Sequence, residues 1–160
     1  MSTSGNSALG LTESAVVDSF ALYRIVDAHT PAAAAIREAA LGGTLRLSAP
    51  AVAVAVSASM RSCWDDECIE RHEFLGSKLS GFCDRIGLEI GATGPDAAVT
   101  AGRLYAASTA LHIEGPEVLA ACHAAQMASE RNDELLTVSR AAYCYRAVHS
   151  AGIRVPVRSI

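Results

Sequence analysis

The chain has 160 residues, 51% of them hydrophobic and 19% charged, with a formal net charge of −4. That is the length of one domain with ample core material, and it excludes wholesale disorder and a broad basic face for nucleic acid. Only 5% is aromatic, so the core must be built chiefly from alanine and valine, which pack closely but bury little area each; apolar surface is expected to remain for a partner or a second copy.

Residues 1–12 are rich in Ser and Gly and read as a flexible leader, without the basic flank and apolar core of a secretory signal; residues 13–160 read as a single domain. Ala15-Val16-Val17 is a short, uniformly apolar run, the pattern of a strand buried on both faces, and it leads straight into Asp18. Ligands collect at the carboxyl ends of such strands, so Asp18 is either a site carboxylate or the cap of the helix predicted from Ser19 to about Ala28. Thr30-Pro31 starts a second helix that Gly42-Gly43 ends. Thr44 to Leu47 is a second strand. Pro50 opens a helix to about Trp64, although the alternation from Ala51 to Val56 also fits a strand.

Asp65-Asp66-Glu67 opens a helix carrying Ile69, Phe74, Leu75, Leu79 and Phe82 on its apolar side to about Ile86, and Leu88 to Ile90 forms a third strand. A helix starting at Gly94-Pro95 turns Val99, Leu104 and Tyr105 inward. Another runs from Gly115-Pro116 to about Arg131, followed by a strand at Glu134 to Val138. A last helix spans Arg140 to Ala151, and Ile153 to Val157 closes the sheet at an edge, where Pro156 costs no ladder bond. Strands alternating with helices imply a three-layer α/β/α fold around a mainly parallel sheet of about five strands.

In this order the segments resemble a PIN domain, the fold of small metal-dependent ribonucleases known as VapC-like toxins of bacterial toxin–antitoxin pairs. The carriers are Val16-Val17-Asp18-Ser19; Ser48-Ala49-Pro50 before an Ala/Val-rich helix; Ala121 to Ala128; Leu135-Leu136-Thr137-Val138-Ser139; and Gly152-Ile153-Arg154-Val155. The alanine-rich composition is that of an actinobacterial member. The resemblance implies about four carboxylates holding Mg or Mn at the carboxyl edge of the sheet. Asp18 matches the first. The second falls near Ala55 or Val56, the third at Ala121 or Cys122 and the fourth at Ser139, so one acid of four survives; Thr137 matches the family's usual threonine.

That departure gives the expected function: a degenerate PIN-like, pseudo-nuclease module that binds a protein or RNA without cutting it, pairs as a homodimer and carries no cofactor. The alternative is an active ribonuclease with Asp18 as catalytic and metal-binding residue and displaced acids drawn from Glu114, Glu117, Asp65, Asp66 or Glu67. A small-molecule sensor is a third reading. The cleft positions are Thr137, Ser139 and His123. Cys68 and His72 share a helix face but have no second pair to complete a zinc site, and Cys122 and His123, adjacent on a helix, point about 100° apart. Tyr143, Tyr145, Arg140 and Arg146, with Arg154 and Arg158, either form a small basic edge or belong to an ordinary amphipathic helix.

Overall fold

The computed structural model describes residues 13–28, 30–60, 76 and 78–160. The expected leader, the acids at 65–67, the apolar residues Ile69, Phe74 and Leu75, and the Cys68–His72 pair lie outside the described residues. The elements are β1 (Glu13–Val17), α1 (Ser19–Asp27), α2 (Pro31–Leu41), β2 (Leu45–Pro50), α3 (Ala51–Ser59), a helical stretch α4 (78–86) and β3 (Glu89–Gly91). Then come α5 (Pro95–Ala110), α6 (Pro116–Arg131), β4 (Glu134–Thr137), a 3-10 helix (Ser139–Tyr145), α7 (Arg146–Ser150) and β5 (Val157–Ser159).

The five strands form one sheet in the order β3-β2-β1-β4-β5, every pair parallel. Alternation along β1 divides the core. Ala15 and Val17 face a layer with Leu22, Ile25, Ile36 and Phe82; Val16 faces another with Leu104, Val118, Leu135 and Tyr145. Helices α1, α2 and α4 cover the first face, and α5, α6 and α7 the second. Helix α3 packs against both α1 and α6, where Ala53 and Val56 meet Ala120. The chain moves outward from β1 through β2 to β3, then returns to the other side of β1 as β4. The crevice between the carboxyl ends of β1 and β4 is therefore the topological switch point.

Several elements differ from the expectation. Strand β2 runs on to Pro50, and α3 ends at Ser59 with Met60 in extended backbone; the rest of the expected helix, to Trp64, lies outside the described residues. The expected last helix is two pieces: seven residues wind as a 3-10 helix before α7 begins at Arg146. The closing strand lies later, at Val157–Ser159; Pro156 precedes it and its carbonyl accepts from the Leu135 amide at 2.8 Å. Val99, expected inward, is 53% exposed, because Ala101, Leu104 and Ser108 form the buried side of α5.

Helix α1 ends at Ala28, held in the left-handed conformation (φ 43°) while its amide bonds to the Arg24 carbonyl. A side chain with a Cβ is strained there and glycine is not. Ala28→Gly is expected to raise stability by about 0.5–1 kcal/mol in urea unfolding, despite the greater freedom glycine gives the unfolded chain; a loss would show that the Ala28 methyl has a packing role.

Candidate functional site

Strand β1 ends where Asp18 turns the chain into α1. The Asp18 amide donates to the Leu136 carbonyl at 3.2 Å, which ties the turn to β4, and its carbonyl accepts from the Leu22 amide at 3.0 Å, the first bond of α1. The side chain is completely buried. Its Oδ1 accepts from the Ala21 amide at 2.7 Å, capping the helix. Its Oδ2 accepts from Thr137 Oγ1 and from the Tyr145 hydroxyl, both at 2.5 Å. Three elements thus converge on one carboxyl group: α1, the end of β4 and the last residue of the 3-10 helix. Ser19, next in sequence, buries a hydroxyl that has no partner among the described residues.

Two influences oppose each other at Asp18. Removal from water disfavours the charged form, while the Thr137 and Tyr145 hydroxyls and the Ala21 and Phe20 amides favour it; burial wins and holds the carboxyl above its ordinary value of 3.8. The Tyr145 hydroxyl is pushed well above the usual phenol range, by burial first and then by the adjoining Asp18. Tyr145 is therefore a neutral donor to Asp18 Oδ2.

The other positions implied by the resemblance carry no acid, and only some of them are buried. Ala55 is exposed on α3 and Val56 is buried against α6. Ala121 and Cys122 are fully buried in the apolar layer over Val16. Ser139 is exposed, with its hydroxyl 2.7 Å from that of Ser159. Of the displaced acids that are described, Glu114 is exposed. Glu117 is half-buried and folded back over Gly115, close to Tyr143, whose hydroxyl is shifted upward by burial and then by its neighbours Cys144 and Glu117. Among the described residues no three His, Cys, Asp or Glu side chains converge as a metal site. Mg takes about six oxygen ligands, usually several waters with one or two carboxylates that face them; a fully buried carboxyl whose two oxygens already accept bonds from Ala21, Thr137 and Tyr145 does not fit it.

Of the cleft positions, the structure brings Thr137 to Asp18 and leaves Ser139 and His123 apart. His123 lines a small cavity of about 70 Å³ with Pro50, Gly91, Met127 and Arg131, which Asp18 does not reach, and burial lowers its pKa. Burial pushes the Cys122 thiol up to about 11 and the Cys144 thiol up to about 12, so neither supplies a thiolate nucleophile. The arginines of the expected basic edge do not act together. Arg140 lies over the Phe20 ring, Arg158 pairs with Glu134, and Arg154 lines an open cleft with His149 and Asn132. Tyr145, read from the sequence as part of a basic edge or of an amphipathic helix, has instead a place beside Asp18 that sequence reasoning missed. Its run was expected to be one α-helix, and the 3-10 winding sets where its hydroxyl lands.

No model of a protein family matches the chain, and no curated protein matches it. Among solved structures, the chain is similar to a chain in the crystal structure of VapBC2 from Rickettsia felis bound to a DNA fragment from their promoter. The identity is 16% and the TM-score 0.57, covering 91% of this chain and 98% of that one. The likeness is one of fold, and it agrees with the PIN-like architecture that the order of motifs implied.

Two outcomes are expected from this geometry. Tyr145→Phe removes a buried bond to an acidic group and should lower unfolding free energy by about 2 kcal/mol, read from urea denaturation; an unchanged midpoint would show that the hydroxyl bond carries nothing. The second concerns pH. Folded Asp18 keeps its proton to a higher pH than the unfolded chain does. Its stabilisation is therefore complete below the unfolded carboxyl's titration near pH 3.8 and is lost as pH rises through the folded value. The stability of the native chain minus that of Asp18→Asn should fall as pH is raised from about 4 to about 7; a flat or rising difference would refute this.

Proposed function

We propose that the chain is a PIN-like interaction module that does not cleave RNA. On this reading it acts in the cytoplasm, pairs with itself and engages a protein partner. The observation that carries the reading is the enclosure of Asp18: both carboxyl oxygens accept hydrogen bonds from the chain itself, and Ala, Val, Cys or Ser stands at the other three acid positions. Metal-assisted phosphodiester cleavage needs a cation to activate water and to stabilise charge on the phosphate. The described donor set offers no place for one, so no catalytic step is assigned. A surface freed from that chemistry can be neutral and apolar, which makes burial against a protein less costly. The similar chain comes from a VapBC2 assembly bound to promoter DNA, which supports a protein partner for a chain of this fold.

One observation favours a second reading, the ribonuclease with a displaced acid. Glu117 stands one helical turn before Ala121, and Cys144 feels the charge of both Asp18 and Glu117. Calorimetric titration with Mg and with Mn, beside cleavage of a structured RNA, separates the two. The proposal expects no saturable uptake and no cleavage by the native chain. Uptake that disappears in both Asp18→Ala and Glu117→Gln would replace it with the ribonuclease reading. An RNA gel shift without cleavage, weakening steeply with salt, would make RNA rather than protein the bound partner.

A further inference from the structure

At the edge of the sheet opposite Asp18, the chain leaves α6 at Asn132 and α7 at Ala151, and the two exits lead into β4 and β5. Asn132 is left-handed (φ 55°), and Gly152, at φ 76°, turns the chain out of α7. The segment that follows is pinned at both ends. The Gly152 and Ile153 amides bond to the His149 and Val148 carbonyls at 3.0 and 3.3 Å, and the Pro156 carbonyl accepts from the Leu135 amide. Between these exits lies an open cleft of about 630 Å³, within the roughly 300–1,000 Å³ of small-molecule sites. It stands at the amino ends of β4 and β5, whereas Asp18 and Thr137 stand at the carboxyl ends of their strands, so the two sites are separate.

Two kinds of surface line the cleft. Ile153 and Val155, half-buried against the core, and the exposed Pro156 form an apolar wall. Asn132, His149 and Arg154 supply the polar groups, and no carboxylate among the described residues joins them. The acids next along the chain are engaged elsewhere: Asp133 accepts from Ser14 Oγ at 2.5 Å, and Glu134 pairs with Arg158. Arg154 and His149 have no hydrogen-bond or ion-pair partner among the described residues. In a chain of net charge −4, a cleft that gathers a guanidinium and an imidazole without an acid is set to take an anion.

The same groups select which anion. A guanidinium grips phosphate oxygens in bidentate fashion, and a protonated imidazole beside it adds a second charged donor. A phosphate monoester carries about −1.5 to −2 charges at pH 7, enough for both groups, where a carboxylate or a phosphodiester carries one. The apolar wall suits the flat face of a base and would only desolvate the hydroxyls of a sugar. The Asn132 carboxamide both donates and accepts, as the edge of a base requires.

We infer that this cleft binds a nucleoside monophosphate, with the phosphate on Arg154 and His149 and the base against Ile153, Val155 and Pro156. The site goes beyond the reading of the chain as an interaction module and gives it a small-molecule ligand on a different edge of the sheet.

The test is isothermal titration calorimetry on the full chain with each common ribonucleoside 5′-monophosphate, with inorganic phosphate and with a 5′-phosphorylated RNA tetramer. The variants are Arg154→Gln, His149→Gln and, as a control, Arg146→Gln, whose exposed side chain lies on α7 outside the cleft; circular dichroism confirms that each is folded. At least one mononucleotide should bind saturably with a Kd below about 1 mM, weakened about tenfold or more by Arg154→Gln, about threefold or more by His149→Gln and less than about twofold by Arg146→Gln. Absence of saturable binding, or binding as tight in Arg154→Gln as in the native chain, would overturn the site. Equal weakening by Arg146→Gln would reduce it to general charge attraction and overturn it too. Inorganic phosphate held as tightly as the nucleotide would mean an adventitious ion only, and a tetramer held much more tightly would make the ligand an RNA end; either result replaces the mononucleotide. None of these outcomes bears on metal uptake at Asp18, so the two readings fail separately.

Discussion

A buried carboxyl group holds the carboxyl end of the sheet together. Asp18 caps α1 through Oδ1 and receives Thr137 and Tyr145 on Oδ2. The helix that leaves β1, the end of β4 and the segment that follows β4 are thereby fixed relative to one another. The bonds are short, and the group is wholly out of water. Each donor is accordingly costly to lose, since its removal leaves polar atoms buried without partners. The same enclosure is what the proposed reading of the chain as a module that does not cleave RNA rests on: both oxygens of this carboxyl are already engaged by the chain's own donors.

Much of the architecture was legible because the local signals agreed with the global fold. Thr30 with Pro31, Gly94 with Pro95 and Gly115 with Pro116 mark helix starts, and the three helices begin at those prolines. The uniformly apolar Ala15 to Val17 is the central strand. The errors fall where tertiary packing overrides local pattern. Val99 sits in an alanine-rich helix whose small side chains give little contrast between faces, so hydrophobicity alone pointed it the wrong way. The 3-10 segment has no sequence signature, since Ser139 to Tyr145 contains good helix formers and only the reach of Tyr145 toward Asp18 explains its tighter winding. Of the cleft residues, Thr137 was legible only through the resemblance, which implies a threonine there; the structure sets it beside Asp18 because Val17 pairs with Leu136 and the residues that follow meet at the same edge. His123 was misplaced by treating nearness in sequence to Ala121 as nearness to Asp18.

The alanine that dominates the composition has a specific location. Helix α6 buries Ala120, Ala121, Ala124, Ala125 and Ala128, and α3 meets it through Ala53 and Val56. Ala121 and Cys122 lie fully buried in this apolar layer, so an ionised carboxylate at either position would carry the full cost of removal from water.

Winding sets reach. A 3-10 helix rises about 2.0 Å per residue against 1.5 Å for the α form, so the seven residues from Ser139 to Tyr145 extend roughly 3.5 Å further than they would as an α-helix. That difference exceeds the length of the phenol–carboxyl bond the segment delivers. A rewinding of this one stretch, with every strand left where it is, would carry the phenol off its acceptor and give the enclosed acid a path to solvent.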